Sequence, residues 1–232
     1  PNLNFNGSDS FTVTATDDGT GPLSDTTTIN VTVQSVNDEP QATVDSYSVD
    51  EDGVLTVAVG TGVLFNDTDS VNDALAPNTL SAVRVDQARN GVAVLAADGS
   101  FVYTPAADFT GVDWFSYEVR DDGGIANGGD DIGNTVQVTI VVNPINDAPV
   151  IADDGTSLSL TVVEDQDEDG QVFASDVDVQ DTLTFTSTQG SNGSVTIDPV
   201  TGEYTYSPNL NFNGSDSFTV TATDDGTGPL SD

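Results

Sequence analysis

The chain has no cysteine, no methionine, no histidine and no lysine, and a single tryptophan in 232 residues. Each absence closes a route. Without cysteine there is no disulfide framework, so bridges do not reveal the compartment. Without cysteine and histidine the usual zinc sites are excluded, as are Ser-His-Asp and Cys-His nucleophiles. Without lysine there is no Schiff-base chemistry. No apolar run approaches the roughly 18 residues that mark a membrane-spanning helix. Positive charge is nearly missing as well: Arg84, Arg89 and Arg120 stand against 39 acids, for a formal net charge of -36. Such a surface repels nucleic-acid phosphate and anionic lipid, and it attracts cations.

What is present is aspartate: 33 of the 39 acids, against 6 glutamates. Helix surfaces favour Glu, whereas Asp favours turns and metal loops. The excess therefore belongs to loops between strands. A halophile surface is another account of such a charge, but the Asp-over-Glu bias and the loop placement suit calcium better.

The chain also repeats itself. Pro1 to Asp25 returns letter for letter at Pro208 to Asp232, an offset of 208 - 1 = 207 residues. A diverged third copy runs from Phe109 to Asp122. Self-similarity at a fixed period marks a tandem array, and this chain reads as a window cut from one. Within the repeated stretch, Asp9, Phe11, Val13 and Ala15 alternate with Ser10, Thr12, Thr14 and Thr16. That period of two predicts a half-buried antiparallel strand, with a second one at 26–33 completing a hairpin.

Polar proline-containing segments at 35–40 and 144–149 read as domain boundaries. Between them, short β-rich runs at 41–49, 54–59, 79–86, 92–96, 100–105, 112–120 and 134–142 are separated by turn signals such as Asn90-Gly91 and Asp98-Gly99. About seven short strands in some 110 residues predict an all-β antiparallel sandwich. The second unit repeats the pattern at 158–163, 165–169, 176–181, 182–187, 194–197, 203–207 and 216–223. The expected organisation is three parts: 1–36, the last strands of one domain; 37–146, a complete domain; and 147–232, the first part of a domain of the kind that ends at 36. Residues 1–36 are expected to dock against the 147–232 part of a neighbouring copy, in the same chain or in another subunit.

Five motifs recur in order in both units. The first unit has Asn37-Asp38, Glu51-Asp52, Asn66-Asp67-Thr68-Asp69, Tyr103-Thr104-Pro105 and Phe109 to Asp121. The second has Asn146-Asp147, Glu164-Asp165, Asp176-Val177-Asp178, Tyr206-Ser207-Pro208 and Phe212 to Asp224, and departs in having Ser175 where the first has Asn66. This combination resembles the cadherin-like/Ig-like tandem repeats of giant bacterial (RTX-type) surface adhesins, along the whole chain. The resemblance implies Greek-key sandwiches in a linear array, a secreted or cell-surface location in a bacterium, and a calcium-stiffened extender.

The acids support calcium independently, since the ion takes carboxylate and carbonyl oxygens on flexible loops. The sharpest spacing is Asp165, Asp167, Asp169, Gly170 and Asp176, which fits the calcium loop of an EF-hand except for Asp in the last place. A loop on a β scaffold is expected there, with a solvated acidic turn as the alternative. Asp176, Asp178 and Asp181 with Glu164 form a second candidate set, matched by Glu51, Asp52, Asp67 and Asp69. Boundary residues Asn37, Asp38, Asn146 and Asp147 are candidates to hold an ion jointly with neighbouring domains; their bland reading is a strand end and a turn. Asp17, Asp121 and Asp224, at the ends of the long strands, are ligands or solvated turn residues. Asp9, Asp113 and Asp216 share the apolar parity and are expected to bond a neighbouring turn's N–H groups instead. Phe5, Phe11, Phe109, Phe115, Phe212 and Phe218 recur in register and mark core.

Three function classes remain open. A structural extender suits letter-for-letter repetition. A module that itself binds glycan, ice or another cell would use exposed threonines such as Thr12, Thr14, Thr16, Thr26, Thr28 and Thr32. An enzyme, such as a glycosidase with paired carboxylates, is the weakest reading, because the acid pairs recur once per unit.

Overall fold

The computed structural model describes residues 5–69, 78–152 and 158–232, so the first four residues of the repeated stretch lie outside it. The chain divides into two compact units, Pro1–Pro144 and Ile145–Asp232. It is an all-β protein, and no helix among the described residues is long and apolar enough to cross a membrane.

The first unit begins with a hairpin of β1 (Gly7–Thr16) and β2 (Ser24–Val33), paired antiparallel over ten residues each. At its tip the Asp17 amide donates to the Leu23 carbonyl at 3.0 Å. Among the described strands, β1 and β2 pair only with each other. Their apolar face, with Phe11, Val13, Ile29 and Val31, is exposed.

The rest of this unit is a two-layer sandwich. Its strands are β3 (Asp45–Asp50), β4 (Leu55–Val57), β5 (Ser81–Asp86), β6 (Gly91–Leu95), β7 (Phe101–Pro105), β8 (Gly111–Arg120) and β9 (Ile132–Asn143). One sheet runs β3-β9-β8-β5 and the other β4-β7-β6. All pairings are antiparallel except β3 with β9, which places the first and last strands side by side. The alternation that predicts strands also fills the core. Phe115, Tyr117 and Val119 of β8 and Val138, Ile140 and Val142 of β9 face Phe101 and Tyr103 of β7 in one buried cluster. Edge-to-face contacts link Tyr47 to Phe101 at 5.0 Å and Phe101 to Phe115 at 5.3 Å.

The second unit contains β10 (Val150–Ile151), β11 (Glu168–Gln171), β12 (Ala174–Ser175), β13 (Thr184–Ser187), β14 (Gly193–Ile197), β15 (Glu203–Pro208) and β16 (Val220–Thr223). The sheet β11-β15-β14 corresponds to β4-β7-β6. The pair β13-β16 corresponds to β5-β8 alone. Val172, Phe185, Val195, Tyr204, Tyr206 and Ala222 make its core. Two expected strands do not form. Residues 176–181 are bends and a turn, and 158–163 lies outside any strand. By the match of Glu51-Asp52 to Glu164-Asp165, residues 158–163 are the counterpart of β3, which β9 holds in the first unit. Among the described residues, no strand pairs with 158–163.

Candidate metal centre

Each unit straps its boundary asparagine to the aspartate that ends its long strand. In the first, Asn37 Nδ2 donates to Asp121 Oδ1 at 2.8 Å and to the Asp130 carbonyl at 2.7 Å. Asn37 Oδ1 accepts from Asn78 at 2.8 Å. In the second, Asn146 Nδ2 donates to Asp224 Oδ1 at 3.2 Å. The following glycines make room for this strap. A side chain on Gly123 would strike the Asn37 carboxamide, and one on Gly226 would strike that of Asn146. The same glycine amides donate to the aspartates, Gly123 to Asp121 at 2.7 Å and Gly226 to Asp224 at 3.0 Å. The middle residue of each Asp-Asp-Gly clips the chain across the unit: Asp122 accepts from the Thr79 amide at 2.7 Å, and Asp225 from that of Thr182 at 2.6 Å.

Asp121 is 8% exposed, and its second oxygen is buried with no hydrogen-bond partner. The neighbouring base, Arg120, is held by Glu118 at 2.7 Å. Asp176 likewise has one oxygen on the Asp178 amide at 3.0 Å and the other buried without a partner. Asp178 accepts from the Asp147 amide at 2.8 Å. Burial, followed by the charges of Asp178, Asp225, Asp224 and Asp176, pushes the Asp181 carboxyl above its ordinary range. For Asp224, burial works upward, but the donors Leu230, Asn146 and Gly226 together hold it below.

In the first unit, Asp67 accepts from the Thr43 amide at 2.8 Å, and the Tyr117 hydroxyl lies 2.9 Å from its other oxygen. Burial raises the Asp67 carboxyl. Asp45, on the inward parity of β3, was not among the sequence candidates. Burial, and then the charge of Asp67, pushes its carboxyl up to about 6. Its second oxygen is buried and unpartnered too. Its parity with Tyr47 and Val49 was the available signal.

Glu51 is buried, and its amide donates to the Asn143 carbonyl at 2.9 Å. Asp52 sits in a left-handed turn at φ 59° and is exposed. Asp38 and Asp69 are half-buried. Among the described residues, Glu51 and Asp52 are not gathered with Asp67 and Asp69 into a set of carboxylates within ligand distance of one another. Nor is Glu164, which is exposed in a turn, gathered with Asp176 and Asp178. Asp17 is exposed and accepts from Gly19 at 3.1 Å and Leu23 at 3.2 Å.

The twelve-residue loop expected from Asp165 to Asp176 is not formed. Asp165 turns at φ 63° and accepts from the Asn211 amide at 2.6 Å. Asp167 is exposed, and Asp169 lies in β11, where Thr205 donates to it at 2.6 Å. Among the described residues, these acids are not gathered within ligand distance of one another. Gly170 makes no turn; it lies under the ring of Tyr204, which a side chain there would strike.

Asp113 and Asp216 take the other role expected of them. Asp113 is 1% exposed and accepts from the Arg89, Asn90 and Trp114 amides and the Tyr103 hydroxyl, at 2.9 to 3.1 Å. Asp216 does the same with Ser191, Asn192, Ser217 and Tyr206, at 2.9 to 3.0 Å. The Asn192 amide leads the donors that hold the Asp216 carboxyl below its ordinary range. Asp113 pins a hairpin turn to β8, and Asp216 pins one to the chain that leads into β16.

A family model described as bacterial cadherin-like domain matches residues 37–144 and 146–231. Among solved structures, the chain is similar to a protocadherin gamma B7 EC3-6 cis-dimer structure at 21% identity and TM-score 0.51, covering 97% of this chain and 57% of that one. It is similar to the protocadherin gamma B4 extracellular domain at 20% identity and TM-score 0.52, covering 98% of this chain and 38% of that one. The chain thus spans little more than half the length of the first of these, and the likeness at this identity is one of fold. No curated protein sequence matches the chain.

Proposed function

We propose that this chain, which belongs to the bacterial cadherin-like domain family, is a calcium-stiffened structural repeat of a secreted surface adhesin or extracellular filament. In this reading it is a rigid extender that serves cell attachment or biofilm contact. The observation that carries the reading is the buried, unpartnered oxygen of Asp121 beside the Asn37 strap. An uncompensated buried carboxylate is costly, and the chain has almost no cationic side chains to offset it. The donor set is all oxygen, from carboxylates, carboxamides and carbonyls. That chemistry fits calcium and disfavours softer metals.

The residues that would hold the ion are Asn37, Asp38, Asp67, Asp69 and Asp121 in the first unit. In the second they are Asn146, Asp147, Asp176, Asp178 and Asp224. Calcium supplies the positive charge that these oxygens lack. Turned over, the Asn37 carboxamide would aim its oxygen where its nitrogen now donates, so one side chain serves both the strap and a cation. The straps already tie each linker to the domain that follows. Charge neutralisation there would hold the linker in one conformation, whereas bare like charges loosen it. The hairpin threonines support an extender over a binding face: Thr14 bonds Thr26 at 3.2 Å and Thr16 bonds Ser24 at 2.8 Å, so these hydroxyls serve each other.

The test is a calorimetric calcium titration of chelator-stripped chain, with Asp121→Asn and Asp224→Asn alongside. Saturable binding, reduced by each substitution, is expected. Absence of calcium heat at millimolar concentration would remove the reading.

A further inference from the structure

Each unit has a sheet that ends on a short strand with one open side. Among the described strands, β6 pairs only with β7, and β14 only with β15. The outer sides of β6 and β14 therefore present backbone groups that a further strand could take up. In an antiparallel ladder alternate residues turn these groups to opposite sides. The middle residue turns them outward here: Ala93 in β6 and Val195 in β14.

Neither middle residue is left open. The Val195 amide donates to Gln189 Oε1 at 2.8 Å, and Gln189 Nε2 donates back to the Val195 carbonyl at 2.8 Å. One carboxamide thus makes both bonds that a neighbouring strand would make with that residue. In the first unit Gln87 precedes Ala93 by six residues, as Gln189 precedes Val195. Gln87 Oε1 accepts the amides of Ala93 and Ala88, each at 3.1 Å. The Ala93 carbonyl accepts from Arg84. The second unit has Thr186 at the place of Arg84, and there the glutamine makes both bonds itself.

Both glutamines are exposed. A long exposed side chain gives up rotamer freedom to hold one partner, so something must keep that partner in reach. The turn behind each glutamine does so. Asp216 fixes the amides of Ser191 and Asn192, and Asp113 those of Arg89 and Asn90. Gly190, next to Gln189, lies so close to Asp216 that a side chain there would strike the carboxylate. Inward acid, turn and glutamine act together, and the arrangement occurs in both units.

We infer that the Gln189 and Gln87 carboxamides are edge plugs. Each occupies the central pairing position on the open side of its sheet and keeps an extended strand of another copy of this chain from adding there. Sheet edges are commonly blunted by lysine, other charges or proline. The chain has no lysine, and β6 and β14 contain no charged residue and no proline. Glutamine supplies the protection instead. The hazard is greatest in a chain that repeats its own sequence, because matching strands are always at hand.

The test is amide hydrogen exchange in chelator, where no cation bridges chains, read at Val195 and Thr196. Val195 should exchange slowly in the unsubstituted chain although it lies on the open side. In Gln189→Ala it should exchange about tenfold faster, while Thr196, whose amide faces β15, stays unchanged. Gln189→Glu keeps the acceptor and should keep Val195 slow. In molar salt, which screens acidic repulsion, light scattering should show Gln189→Ala and Gln87→Ala gaining mass with concentration beyond the unsubstituted chain. Fast exchange at Val195 in the unsubstituted chain overturns the inference without recourse to any variant. So does an equal acceleration at Val195 and Thr196, which marks loss of the sheet and not of a plug. Association of the two alanine variants no greater than that of the unsubstituted chain overturns it as well.

Discussion

Two stretches of identical sequence have two structures here. In Pro1–Asp25, the residues Gly7–Thr16 form a ten-residue strand, and every one of them is exposed. In Pro208–Asp232 the same letters give a four-residue strand packed on a core. What they share is local. Asp17 and Asp224 each accept from a glycine two residues on and a leucine six residues on. What differs is tertiary. Asp216 collects three backbone amides and a tyrosine hydroxyl, whereas Asp9 takes the Ser10 amide at 2.7 Å. A turn is a property of its residues; strand length and the use of an inward acid are properties of the neighbours.

The largest expected effects lie at the inward acids. Asp113→Ala strips a buried node and leaves its donors unpaired, which costs about 3 kcal/mol or more. Asp216→Ala should destabilise the second unit clearly, and Asp9→Ala in monomeric chain should change nothing. Urea unfolding followed by tyrosine and tryptophan fluorescence reads all three. Equal effects at Asp9 and Asp216 would break the comparison. The phenylalanines come next. Phe218→Ala should cost about 2 kcal/mol, less than a full core truncation because Phe218 is only half-buried. Phe11→Ala, at 55% exposure, should be nearly silent.

Much of the fold was legible in the sequence because alternation and turn residues are local signals. The strands at β1, β2, β5, β6, β7, β8 and β9 fall where period two places them. The strand expected at 158–163 is not formed, and no described strand pairs with it; alternation marks a segment's capacity for a sheet, whereas pairing is a tertiary property. The acid sites were legible as types more than as geometry. The spacing from Asp165 to Asp176 satisfies a loop template, but Tyr204 over Gly170 and Thr205 on Asp169 draw the segment into a strand. The Asn37 and Asn146 straps were found as boundary residues, though their partners Asp121 and Asp224 lie 84 and 78 residues away.

Smaller effects sharpen the picture. Asn146→Ala removes the one side-chain bond that distinguishes Asp224 from Asp17; a loss of about 1 kcal/mol is expected from thermal or urea unfolding. The last concerns pH. Asp45 occupies in the first unit the place Leu158 holds in the second. Its folded pKa of about 6 lies above the ordinary 3.8, so the folded chain keeps a proton that the unfolded chain has released. The Asp45 contribution is therefore fully favourable below about pH 4 and falls as pH rises toward 6. Asp45→Leu should flatten that part of the stability–pH curve and raise stability at pH 7. A steeper curve would contradict the assignment.

The central claim is that these acids are arranged for a cation that stiffens the chain. The most direct measurement is the melting temperature of the full chain in millimolar calcium and again after chelation, at fixed ionic strength. Binding to the folded state alone raises stability by about 4 kcal/mol at a thousandfold excess over Kd, and a large, chelator-reversible rise is predicted. Melting at the same temperature in both conditions would contradict it.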